Sequence, residues 1–229
     1  MSFDRAKEAV GRAAARLVLD GMRVGLGTGS TARWFIVALG EAVAGGLRVT
    51  AVASSEASAR LASDSGIQLV ELDRSGLDLA VDGADQVDPR LRLVKGGGGA
   101  QVREKVVAAA ARRFVVIADE SKLVPQLQGP VPVEIIGFGR EATLAALEEC
   151  GAPFSLRLDA DGRPRTSDSG NLLADGHFGV IADPEGLAQR LDAVPGLVGH
   201  GLFLGMAERV LVGDQAGGVR ELARSGGRV

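Results

Sequence analysis

Apolar runs of four to six residues alternate with stretches of helical periodicity through the first half of this chain. From Phe3 to Asp20 the apolar positions Ala6, Val10, Ala13, Ala14 and Leu17 share one helical face, and Gly21 follows as a stop signal. Met22 to Leu26 reads as a strand, Ala32 to Val43 as a helix, Val49 to Ser54 as a strand, Glu56 to Ser63 as a helix and Ile67 to Leu72 as a strand. Leu77 to Val81 and Leu91 to Val94 are further apolar runs, Ala100 to Arg112 reads as a helix and Phe114 to Ala118 as a strong strand. This alternation predicts an α/β, Rossmann-like, mostly parallel sheet flanked by helices.

The pattern changes around Pro125 to Pro132, where QLQGPVPVE is rich in Pro and Gly. Beyond it come a strand at Val131 to Ile136, a helix at Arg140 to Glu149, strands at Pro153 to Leu158 and Asn171 to Ala174, a helix near Pro184 to Leu191 and a strand at Leu197 to Phe203. That order predicts an inserted small α+β (ferredoxin-like) domain with an antiparallel sheet. Ala207 to Val212 reads as a strand and Val219 to Arg224 as a short helix, a tail that returns to the first sheet. The expected division is therefore residues 1–130 with 206–229 for the larger domain, and 131–205 for the insertion.

Composition narrows the classes of function. A net charge of −3 and 3% aromatic residues supply neither a basic stripe nor a stacking platform, so nucleic acid is not an expected partner. The single cysteine, Cys150, precludes an internal disulfide, and MSFDRAKEAV lacks the apolar centre of a signal peptide, which points to the cytoplasm. No apolar run approaches the roughly 20 residues of a membrane span, so no membrane partner is expected. His177 and His200 lie far from the charged centre of the sequence and read as structural; no metal site is expected, and Trp34 reads as a packing residue.

Groups suited to catalysis concentrate between Asp78 and Val107. The apolar run ending at Val81 stops at Asp82-Gly83-Ala84-Asp85, which places two carboxylates at the carboxyl end of a strand, where ligands bind in open α/β sheets. The next run ends in Lys95 and the glycines Gly96, Gly97, Gly98 and Gly99, ahead of a helix with Glu104 in its first turn or so. A glycine run lets the main chain approach an anion, and the helix N-terminus adds partial positive charge. Singly, each residue suits a plainer role: Asp82 and Asp85 as turn residues, the glycines as a loose loop, Glu104 paired with Arg103 or Lys105. Together within one strand-loop-strand-loop-helix unit they favour a site.

A second anion cradle runs from Gly25 to Thr31, with hydroxyls at Thr28, Ser30 and Thr31 around Gly29 ahead of a helix. The dinucleotide fingerprint fails because Ser30 stands where its third glycine belongs, and no acidic residue ends the following strand. The nucleotide P-loop fails for want of Gly-Lys-Ser/Thr. A small phosphorylated metabolite fits better than NAD or ATP, and a glycine turn without a ligand remains open for this segment alone. Lys122, after the strand at Phe114 to Ala118, joins the same sheet edge and reads equally as a solvated lysine.

These motifs together resemble the type A ribose-5-phosphate isomerase family. The resemblance rests on GLGTGSTA (Gly25 to Ala32), VDGADQVDP (Val81 to Pro89), LVKGGGGAQVREKVV (Leu93 to Val107), IADESK (Ile117 to Lys122), PVE (Pro132 to Glu134) and SDSGN (Ser167 to Asn171), and extends to GLF (Gly201 to Phe203). It implies interconversion of ribose 5-phosphate and ribulose 5-phosphate in the pentose phosphate pathway, without metal or organic cofactor, by a homodimer or larger assembly. It implies Glu104 as general base, with Thr28 to Thr31, Asp82 to Asp85, Lys95 to Gly98 and Lys122 lining the substrate site and Lys7 reaching the phosphate. Lys95 or backbone amides would hold the developing oxyanion, and Asp82 or Asp85 would assist proton movement among hydroxyls and ring oxygen. Gln86 stands in place of a usual Glu, Gln101-Val102 in place of a common Leu-Thr, and Ser167 and Ser169 vary the usual TDNGN. An amino-sugar-phosphate deaminase or lactonase of related fold and a sugar-phosphate sensor are the competing readings.

Overall fold

The computed structural model describes residues 3–223. The chain divides into two compact units: Met1–Ala84, Arg103–Leu123 and Gly205–Val229 form the first, and Asp85–Val102 with Val124–Leu204 the second. Residues 85–102, which the sequence pattern groups with the larger domain, thus cluster with the second unit, because their strands pair there.

The first unit opens with α1 (Asp4–Ala15), which buries Ala6, Val10, Gly11 and Ala14. A Cβ on Gly11 would stand 2.6 Å from Trp34 Cβ, so this glycine sets how closely α1 meets α2 (Ser30–Ala44). Strands β1 (Arg23–Leu26), β2 (Thr50–Ala53), β3 (Gln68–Leu69) and β4 (Leu79–Asp82) alternate with α2 and α3 (Glu56–Asp64). The unit continues through α4 (Gln101–Ala109), of which the residues from Arg103 belong here, then β7 (Phe114–Asp119) and β13 (Arg209–Gly213). These strands and β14 (Val219–Ala223) form one seven-stranded sheet in the order β14-β13-β7-β4-β1-β2-β3, parallel except for β14. Every residue of β4 and β7 is buried, as continuous apolar strands covered on both faces require. Val24, Leu26, Phe35, Ile36, Leu39, Leu79, Val81, Val115 and Ile117 form the centre of its core.

The short helix expected at Val219 to Arg224 is instead a strand. β14 closes an antiparallel hairpin on β13, with Arg209 pairing with Glu221 across the ladder at 3.1 Å. Asp214 accepts from the Gly218 amide and Gly217 turns at φ 88°, so the Asp-Gln-Ala-Gly-Gly segment makes a hairpin turn where the sequence suggests a helix start. Arg224 lies outside the described residues.

The second unit contains β8 (Val131–Ile135), α5 (Arg140–Glu148), β9 (Phe154–Leu156), β10 (Leu172–Gly176), α6 (Pro184–Asp192) and β11 (Leu197–His200). Its antiparallel sheet runs β11-β8-β10-β9, so the strand-helix-strand-strand-helix-strand order folds into the expected ferredoxin-like arrangement. A smaller antiparallel sheet in the same unit joins β12 (Leu202–Phe203), β6 (Leu93–Val94) and β5 (Gln86–Val87). The apolar run Leu197 to Phe203 therefore splits at Gly201. Its amide donates to Pro132 O at 2.7 Å and its carbonyl accepts from Lys95 N at 2.8 Å, while a Cβ would lie 2.1 Å from Lys95 O.

Candidate active site

In the first unit, β7, β4, β1 and β2 are successive parallel neighbours, so the segments that leave their carboxyl ends emerge at one edge. Those segments are Asp119 to Lys122, Asp82 to Ala84, Gly27 to Thr31, and Ser54 with Ser55. α4 hands over to β7 at that strand's amino end, and Ala110 O accepts from Leu77 N just before β4. Its first turn, with Glu104, accordingly lies toward the carboxyl edge. By the same geometry the first turn of α1, with the half-buried Lys7, lies at that edge.

Asp82 is 4% exposed, and its Oδ1 accepts from Thr28 N at 2.9 Å and from Gly83 N at 2.7 Å. This carboxylate ties the end of β4 to the loop after β1. The approach is possible only because residue 27 is glycine, since a Cβ there would lie 2.1 Å from Asp82 Oδ1. Gly29, with φ 100° and ψ −178°, turns the chain into α2 in a region that only glycine occupies readily. Ser30 and Thr31 are then the first residues of the helix, where amides and dipole favour an anion. A cavity of about 380 Å³ opens beside Ser30, lined also by Gly29, Arg33, Ala57, Ser58 and Leu61.

Behind that loop lies a group of hydroxyls that sequence reasoning misses. Thr28 Oγ1 sits 2.8 Å from Ser54 Oγ and donates to Ser55 Oγ at 2.9 Å. Ser55 caps α3 by accepting from Ser58 N, and Ser54, Ser55 and Ser58 are each no more than 5% exposed. The available signal is Ser54-Ser55 at a strand end with Ser58 three residues on, an N-cap pattern rather than a catalytic one.

Glu104 is 6% exposed in the first turn of α4, where the helix dipole favours its negative charge. Lys122 is half-buried in a single 3-10 turn, Glu120–Lys122, which Asp119 caps by accepting from Ser121 N at 3.0 Å. Asp119 itself is 1% exposed, so the turn carrying Lys122 hangs from a buried carboxylate.

In the second unit, Asp85 is exposed and its Oδ2 accepts from Gly97 N at 2.8 Å. Gly99 N donates to Gly96 O, so two amides of the glycine run are committed internally, where the sequence suggests amides open to an anion. The carbonyls of that run are held by Arg157, whose Nη1 donates to Gly96 O at 2.8 Å and Gly97 O at 3.1 Å. Asp175 grips the same guanidinium with both oxygens, at 2.7 and 2.6 Å. Sequence reasoning misses this clamp, because nothing in Arg157 or Asp175 announces a partner some sixty residues away. Gly98 is exposed between them.

Lys95 is 2% exposed, with Nζ 5.3 Å from the centre of the Phe203 ring, a buried ammonium over an aromatic face. Gln101, at the start of α4, is wholly buried against Gly96, and neither end of its amide meets a hydrogen-bonding partner among the described residues. Two separated motifs prove to be one contact: Ser167 Oγ and Asn171 Nδ2 each donate to Glu134 Oε1 at 2.8 Å. The histidines do not form a pair. His200 Nδ1 accepts from Leu202 N and its Nε2 faces Asp192 Oδ1 at 3.3 Å, whereas His177 Nε2 meets Ser155 Oγ at 2.7 Å. Cys150 is buried, and desolvation pushes its thiol pKa up.

Comparison with known proteins identifies the family. The sequence model of the family described as ribose 5-phosphate isomerase A (phosphoriboisomerase A) matches residues 50–217. The ribose-5-phosphate isomerase A of Thermomicrobium roseum is 50% identical over 229 residues, covering 98% of this chain and 96% of its own length. The solved structure of ribose 5-phosphate isomerase A from Methanocaldococcus jannaschii superposes with a TM-score of 0.92 at 40% identity, over 97% of this chain and 100% of that one. A D-ribose-5-phosphate isomerase solved in complex with phospho-erythronic acid gives 0.93 at 36% identity, over 98% and 100%. With near-complete coverage on both sides and a shared fold, this chain belongs to the ribose 5-phosphate isomerase A family.

Proposed function

We propose that this chain interconverts D-ribose 5-phosphate and D-ribulose 5-phosphate by proton transfer through an enediolate, in the non-oxidative branch of the pentose phosphate pathway. The observation that carries the reading is a buried carboxylate, Glu104, at the sheet edge from which the glycine-hydroxyl loop and Asp82 also emerge. Glu104 takes the proton from C2 of the open-chain aldose, leaving an enediolate over C1 and C2, and returns it to C1 to give the ketose. One carboxylate suffices because the proton moves between adjacent carbons on one face. Ser30, Thr31 and the amino end of α2, with Lys7 and Lys122, are assigned to the phosphate. Family resemblance assigns Lys95 and the Gly96 to Gly98 segment to the developing oxyanion, and Asp82 or Asp85 to ring opening and hydroxyl proton exchange. Gly29, Gly83 and Ala84 are assigned to the substrate as small residues beside these groups. Of these groups, Asp82, Glu104 and the loop after β1 belong to the first unit, and Asp85 and Lys95 to the second.

The solved relative that holds phospho-erythronic acid supports a ligand of this class. Conversion of ribose 5-phosphate by chelator-treated protein, followed as ketopentose formation, tests the function. Glu104→Gln is expected to lower kcat by about two to four orders of magnitude with the melting transition retained. Undiminished turnover in that variant removes Glu104 from the role of base, and no turnover by the wild type, with ribose 5-phosphate still bound, favours a sensor. We also propose a cytoplasmic homodimer or dimer of dimers, which light scattering of the purified protein checks.

A further inference from the structure

We infer that Ser58, a residue outside the substrate site as assigned above, is a positioning residue for phosphate binding, and that it acts through a one-way chain of hydroxyls which turns the proton of Thr28 away from the ligand. The inference rests on reading the loop after β1 as the phosphate site. The direction of the chain comes from counting protons. Ser58 Oγ lies 2.6 Å from the carbonyl of Gly27, which can only accept, so the single hydroxyl proton of Ser58 is spent there. Ser55 Oγ donates to Ser58 Oγ at 3.0 Å, and Thr28 Oγ1 donates to Ser55 Oγ at 2.9 Å. With the Thr28 proton directed to Ser55, the 2.8 Å contact with Ser54 is assigned as Ser54 donating to Thr28, and Thr28 Oγ1 also lies 3.3 Å from Ser58 Oγ itself. Protons therefore point from Ser54 through Thr28 and Ser55 to Ser58 and end on Gly27 O.

The loop is affected in two ways. An anion that approached Thr28 Oγ1 would meet lone pairs, so the phosphate is directed to the hydroxyls of Ser30 and Thr31 and the amino end of α2. The backbone amide of Thr28 is also committed, to Asp82 Oδ1. Thr28 is thus a fastener between the ends of β1, β2 and β4 rather than a hydroxyl donor to the phosphate. Ser58, 5% exposed, anchors the fastener from α3 and also borders the cavity beside Ser30.

The test compares Ser58→Ala, Ser58→Thr, Thr28→Val and the Ser58→Ala/Thr28→Val pair with wild type, reading KM and kcat for ribose 5-phosphate and the inhibition constant for inorganic phosphate. Ser58→Ala is expected to raise KM and the phosphate inhibition constant together by about tenfold, the size of one lost buried hydrogen bond, with kcat within about twofold. Ser58→Thr retains the hydroxyl and restores both values. The pair is expected to be no worse than the more severe single variant, since both break one chain. Multiplying effects in the pair would make Thr28 an independent phosphate donor and overturn the inference, as would unchanged constants in Ser58→Ala. Ser30→Ala and Thr31→Ala serve as references: if neither weakens inhibition by phosphate, the phosphate-loop reading fails, whereas a loss there with none in Ser58→Ala defeats the hydroxyl chain alone.

Discussion

At the scale of residues, the groups that hold this site are often not those that face it. Arg157 satisfies both oxygens of Asp175 and two carbonyls of the glycine run, a planar four-bond arrangement that lysine cannot copy. Arg157→Lys is expected to cost about 1.5–3 kcal/mol, because charge-assisted bonds are lost, and to lower kcat/KM as the Gly96 to Gly98 segment loosens. Denaturant melts run beside steady-state assays check both. Gln101 presents the opposite situation, a wholly buried amide without a partner among the described residues. Gln101→Leu keeps the volume and removes the stranded polar atoms, so the melting midpoint should rise, by an amount on the order of 1–3 kcal/mol in stability. An unchanged or lower midpoint would show that the amide is satisfied in solution. Asp82, Asp85 and Glu104 are legible in the sequence as chemistry. That Asp82 Oδ1 and Asp85 Oδ2 each hold a loop amide is not, because a carboxylate's partners depend on the third dimension.

At the scale of elements, buried strands are the easiest to read and short paired ones the hardest. β4 and β7 announce themselves as unbroken apolar runs, because a strand covered on both faces has no polar side. β14 alternates only weakly and reads in isolation as a helix; its pairing with β13 decides its form, since strand geometry is stabilised by a partner that local propensity does not see. The junction of β7 and β13 also carries a pH dependence. Hydrogen bonding from Arg113 first, then from Arg209, holds the Glu208 carboxyl pKa below its ordinary value of 4.5 against the opposing effect of burial. A depressed folded pKa contributes stability that is present above the unfolded value and is lost as pH falls through the folded one. Glu208→Gln should therefore melt below wild type at pH 7, and the gap should narrow below about pH 4.5. Melts across that range check it, and a gap independent of pH would assign the effect to packing.

At the scale of the whole molecule, ligand binding and stability are linked. A ligand that binds only the folded chain adds about 2.7 kcal/mol at a hundred times its dissociation constant, which for a chain of this length is roughly 5–10 °C in melting temperature. Ribose 5-phosphate, the substrate proposed above, is expected to produce a rise of that size in a thermal melt, and none should come from uncharged ribose. By itself, the sequence determined the alternation that makes a parallel sheet, the ferredoxin-like order of the insertion, the families of phosphate loop to exclude, and most groups with chemistry to offer. Those features are local: they depend on periodicity, on glycine's freedom and on residue type within a dozen positions. The structure alone decided that residues 85–102 cluster with the second unit, that Arg157 clamps a loop sixty residues earlier, and that the Thr28 hydroxyl meets those of Ser54 and Ser55. Each of these depends on contacts between segments distant in the chain, where direction and partner are set by packing rather than by any pattern a single stretch can carry.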